Sequence, residues 1–204
     1  NNTTGEYNTA MGSSSLRQNT TGASNTAMGV NSLINNTDGV SNTAIGRSSL
    51  QQNTTGNYNT AQGQNSLYAN ITGSNNTAQG YNSLMNTTSN NNTAMGNSSL
   101  RQNTTGINNV AMGVSSLVNN TTGGSNTALG YQSLITNTTG ANNTATGYQS
   151  LHNNTTGSRN TALGYGRLLM NSTGTCNYPL GTLDLLRPKE HEQTCSSRPF
   201  FPYT

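Results

Sequence analysis

Charge is what this chain has least of. Only 6% of its 204 residues are Asp, Glu, Lys or Arg, and the formal net charge is +3. A nucleic-acid binder needs a basic stripe interleaved with stacking aromatics, and none is present. The acids are Glu6, Asp38, Asp184, Glu190 and Glu192. Too few of them fall in the repetitive part for a recurring carboxylate pair or a calcium-binding repeat. The only histidines are His152 and His191, so the many serines have no His–Asp partner set for nucleophilic catalysis. His191, flanked by Glu190 and Glu192 and close to Cys195, reads as a solvated charged turn rather than a metal site. An enzyme is not expected, nor is a cofactor. No stretch approaches the roughly 18 consecutive apolar residues of a membrane-spanning helix.

Apolar residues are scarce too. They make up 29% of the chain, aromatics 5%, and tryptophan is absent; an ordinary globular domain is roughly 45–50% apolar. Low hydrophobicity is half of the disorder signature, but its other half, high net charge, is missing. Asn, Thr, Ser and Gly fill the gap, and their periodicity decides between a floppy linker and a stacked repeat.

The periodicity is strong. Gly5, Gly22, Gly39, Gly56 and Gly73 fall at equal spacing, and Gly106, Gly123, Gly140, Gly157 and Gly174 continue the series. Between the two runs, Asn90 reads as the replacement for glycine, with one residue deleted near Asn86. The consensus is G-x-x-N-T-A-x-G-x-x-S-L-x-x-N-T-T. Ala10 to Ala162 occupy one position in ten copies, and Leu16 to Leu168 another. Such a unit is too short for helix-turn-helix or leucine-rich repeats. It suits one coil of an all-β, single-chain parallel β-solenoid (β-roll) of ten to eleven coils spaced about 4.8 Å apart.

Each coil is predicted to hold two short strands, one in N-T-A-x and one around S-L, with glycines turning the corners through positive φ. Ala and Leu point inward. The N-T-A asparagines either form an amide hydrogen-bond ladder or face solvent as turn residues. The residue after Ala points the other way. That column reads Met11, Met28, Ile45, Gln62, Gln79, Met95, Met112, Leu129, Thr146, Leu163. An exposed apolar stripe marks an interaction surface, so the chain itself is the expected partner, as a homo-oligomer.

The unit G-x-x-N-T-A-x-G-x-x-S-L resembles the G-x-x-S-x-A-x-G units of trimeric autotransporter adhesin heads, which are left-handed parallel β-rolls. It is more similar still to the N-T-A-L-G repeats of bacterial and phage tail-fibre-like surface proteins, a form matched by Asn126-Thr127-Ala128-Leu129-Gly130 and Asn160-Thr161-Ala162-Leu163-Gly164. The resemblance covers about residues 1–181. It implies a trimeric stalk or head on the outside of a cell or virion.

N-x-[ST] triplets recur in one register, at Asn2, Asn19, Asn53, Asn70, Asn86, Asn103, Asn120, Asn137, Asn154 and Asn171, with Asn35 standing in beside Asp38. They read either as N-glycan acceptors on one edge of the rod or as plain turn chemistry. The repeat decays toward residue 181, and residues 182–204 read as a capping or docking tail. The only cysteines, Cys176 and Cys195, are expected to staple that tail to the rod, which agrees with an oxidising location. The chain opens inside a repeat, which reads as a processed or partial product. An open first coil invites another chain to pair. The tail residues Phe200, Phe201 and Tyr203 are the expected contacts of a head-to-tail filament. Three functions follow. The first is an extracellular structural or adhesive fibre. The second is polysaccharide binding on the tyrosines Tyr81, Tyr131, Tyr148 and Tyr165. The third is ice binding on the Thr column that starts at Thr9.

Overall fold

The structure, a computed structural model, describes residues 3–177. Tyr178 onward, and with it the tail, lies outside them, as do Asn1 and Asn2. The ten N-T-A-x segments become ten three-residue strands: β1 (Thr9–Met11), β2 (Thr26–Met28), β3 (Thr43–Ile45), β4 (Thr60–Gln62), β5 (Thr77–Gln79), β6 (Thr93–Met95), β7 (Val110–Met112), β8 (Thr127–Leu129), β9 (Thr144–Thr146) and β10 (Thr161–Leu163). They pair in chain order as one parallel sheet. Register is strict, with Thr over Thr and Ala over Ala at almost every step. Thr26 N donates to Asn42 O in the following coil and Gly29 N to Met11 O in the preceding one, both at 2.8 Å. The molecule is a β-solenoid.

Only one strand forms per coil, where two were predicted. The S-L segment is a turn, and its leucine reaches the core from a left-handed backbone: the ten leucines Leu16 to Leu168 have φ between 48° and 52°. A non-glycine residue there costs roughly 1–2 kcal/mol. Coil-to-coil bonding offsets it, since Leu33 N donates to Ser49 O at 3.1 Å and the side chain is fully buried. In the eight coils from Ser15 to Ser133 the serine before the leucine locks the turn. Ser32 Oγ, for example, donates to Gly29 O at 3.0 Å.

The two glycine series differ in role. The second series, Gly12 to Gly164, has φ of 122–137°, a region L residues avoid. The first series does not have positive φ. A Cβ at Gly56 would overlap Asn53 Oδ1 and Gly73 O, so close packing excludes any side chain. Positive φ at the corners is expected of both glycine series, and only the second has it. Each coil in fact adds further left-handed residues, such as Ser24, Asn31 and Leu33.

The core is a thin column. Ala27 to Ala162 and Leu33 to Leu151 have no exposed surface, and two columns of asparagine share the interior with them.

Candidate functional site

The first asparagine column, at N-T-A, is a ladder. Asn42 Nδ2 donates to Asn25 Oδ1 at 3.2 Å and to Gly56 O at 2.8 Å, and Asn42 N donates to the same Asn25 Oδ1 at 2.9 Å. The pattern recurs up the rod. The solvent-facing reading of these residues is therefore set aside.

The second column is the sequon register itself. Asn53 Nδ2 donates to Asn36 Oδ1 at 2.8 Å and to Gly56 O at 3.0 Å. Both ladders thus converge on the carbonyl of the first glycine. Asn19, Asn53, Asn70, Asn103, Asn120, Asn137 and Asn154 are wholly buried. Their amide nitrogens are committed to neighbours, and the folded coil has no room for a sugar on them. As glycan acceptors these seven are corrected to interior ladder rungs. Asn171 is half-buried and donates to Asn154 Oδ1. Asn35 is half-buried and Asn86 exposed, while Asn2 lies outside the described residues.

Asn86 is exposed because it stands two residues after Leu84, one place before the ladder position, where Gln52 and Gln102 stand in other coils, and its coil is one residue short only beyond Thr87. Thr87 takes the ladder position, and Ser89, rather than Asn90, takes the glycine position beneath Gly73. The two exchanges compensate. Thr87 Oγ1 and Ser89 Oγ share a hydrogen bond at 2.9 Å, and Asn103 Nδ2 donates to both at 3.1 Å. The repair is incomplete, since Asn70 Oδ1 is buried without a donor.

Outside, Thr and the residue after Ala share one face of each strand, and Ala occupies the other. This outer face carries the apolar column. Met11 is 59% exposed, Ile45 38% and Met112 41%; Met28 and Leu163 are exposed as well, and Met95 and Leu129 half-buried. Gln62 and Gln79 interrupt it, with Gln79 Nε2 3.5 Å from Gln62 Oε1. The Thr column beside it runs from Thr9 to Thr161, broken once by Val110.

Of the tyrosines, Tyr131, Tyr148 and Tyr165 stack on one another, with ring centroids 5.3 and 5.0 Å apart and interplanar angles of 14° and 5°. Tyr81 stands apart from them in sequence by two coils bearing Asn97 and Val114. The stack covers both faces of Tyr148 and one face each of Tyr131 and Tyr165, which takes most of the ring faces on which a sugar would stack.

A shallow open hollow of about 320 Å³, lined by Asn142, Ser158, Arg159, Thr175 and Cys176, holds no general base. Among the described residues no three of His, Cys, Asp and Glu gather, and no helix is long and apolar enough to cross a membrane. Cys195, Phe200, Phe201 and Tyr203 lie outside the described residues, and so do the Cys176–Cys195 staple and the docking tail. The fold and face define a class, the parallel single-sheet β-solenoid with an apolar outer stripe. No protein-family profile, curated protein or solved structure matches this chain.

Proposed function

We propose that this chain is a structural or adhesive fibre module that acts outside the cell by associating with itself. The observation that carries the reading is the outer sheet face, where methionine, isoleucine and leucine side chains stand in one column while alanine alone points inward. A regular rod with one apolar face buries that face most economically against another rod. The extracellular setting is supported by the resemblance to surface-fibre repeats and by the near absence of charge.

Sedimentation velocity over a concentration series tests this. The chain is expected to form oligomers that Met28→Lys together with Met112→Lys returns to monomer, with an unchanged far-UV circular dichroism spectrum. A wild-type chain that stays monomeric throughout would refute the reading.

Ice binding is supported by the in-register Thr column on the same face. Thermal hysteresis that survives the double lysine substitution, in a chain that does not associate, would favour it.

A further inference from the structure

The outer column is a palindrome. Its centre lies between β4 and β5, at Gln62 and Gln79. One step out on either side stand Ile45 and Met95. Two steps out stand Met28 and Met112, and three steps out Met11 and Leu129. Every apolar position over these eight strands mirrors an apolar one, and glutamine mirrors glutamine. Thr146 and Leu163 lie beyond the mirrored stretch.

The geometry of the face gives the palindrome a meaning. The face has two columns side by side, Thr and the residue after Ala. Two copies can meet face to face about a twofold axis in two ways. If the axis runs along the rods, the copies are parallel and each apolar column lies against the partner's Thr column. If the axis runs along the strands, the copies are antiparallel, and Thr meets Thr while the apolar column meets itself in reverse order. Only the second arrangement needs a palindromic column, and the chain has one.

We infer that the self-association partner is a second copy of this chain packed antiparallel, with the twofold axis between the Gln62 and Gln79 rungs. The inference rests on the self-association reading above. At the centre Gln62 faces the partner's Gln79, and their amides both donate and accept. Outside that rung, Met28 faces the partner's Met112. A slip of one coil would keep one glutamine pair on the axis but set the other glutamine of each copy against an apolar side chain, Gln79 against Ile45 or Gln62 against Met95, and leave its amide unpaired, so the glutamines fix the register. The mirrored stretch spans about 35 Å at the usual strand spacing. A face of that length, two side chains wide, sits near the low end of specific interface sizes, and the dimer is expected to be reversible.

A charge exchange tests the pairing. Met28→Glu or Met112→Lys alone places two unpaired charges in the interface, and each is expected to weaken dimerisation roughly tenfold or more in sedimentation equilibrium. Combined in one chain, they create two ion pairs across the axis and are expected to recover most of that loss. Both side chains point outward, so circular dichroism should match wild type. Independently, a benzophenone amino acid at position 28 should cross-link the tryptic fragment 18–47 to fragment 102–159. A wild-type dimer in which the double variant is no better than the singles, or in which fragment 18–47 cross-links to itself, overturns the antiparallel arrangement and leaves self-association standing. A monomeric wild-type chain overturns both.

Discussion

An asparagine at the strand ladder does three things at once. Its Oδ1 takes a backbone N–H and an amide N–H from the next coil, and its own amide reaches a glycine carbonyl. Aspartate at the same place could accept but not donate, and it would bury a charge. Asn59→Asp is therefore expected to cost about 3 kcal/mol or more, read as a lowered denaturant midpoint. Gly56→Ala is expected to be at least as severe, because its Cβ has no space between Asn53 and Gly73.

Asp38 is the contrasting residue. It is exposed, and Thr21 Oγ1 donates to it at 2.6 Å, with Thr20 Oγ1 at 3.2 Å. These hydrogen bonds hold its carboxyl below the usual carboxylate range. A depressed native value means that the contribution is present above the unfolded value of about 3.9 and fades as pH falls through the native one. Asp38→Asn should flatten the acid limb of the stability curve slightly and leave neutral pH nearly untouched, as measured by thermal melts from pH 2 to 7.

At the scale of the coil, the alanine and leucine columns were legible, because only the interior demands one residue type in every copy. The number of strands was not. Leucine has no preference for a left-handed backbone, and nothing in S-L distinguishes a strand from a turn whose cost is met by the coil above it. The sequons misled for a related reason, since N-T-T is the same string whether asparagine lies in or out. A signal was present nonetheless. The one coil that loses the ladder asparagine also loses the glycine that follows it, and a solvent-facing turn would not link the two. The exchange of Thr87 and Ser89 should therefore be coupled. Thr87→Asn alone is expected to destabilise, by forcing its amide against the Ser89 hydroxyl. Adding Ser89→Gly should recover at least about 1 kcal/mol in a double-mutant cycle, because the introduced amide could then donate to Asn70 Oδ1.

For the whole molecule, almost every stabilising contact joins a coil to the next one, so stability is nearly a sum of coil and neighbour terms. Removing residues 107–123 takes out one coil and joins Gly106 to Gly124 in the same register. The product is expected to fold, with a melting temperature lower by only a few degrees. Removing half as many residues should break both ladders and unfold the coils beyond the join. The face was legible as a stripe from the alternation in T-A-x, while its mirror symmetry acquires meaning only once the strands are known to lie in one sheet with Thr as the second column.

The ladders repeat at a constant separation of 17 residues wherever the coil is full length. In genetic terms, a duplication of seventeen codons is silent for the rod, because each new side chain meets the neighbour its copy already had. Length can drift in a lineage without a penalty to folding. The outer face has no such freedom. Under the antiparallel pairing proposed above, a coil gained inside the mirrored stretch on one side of Gln62 and Gln79 puts its two halves out of step, so selection on partnering, rather than on folding, would set how many repeats that stretch keeps.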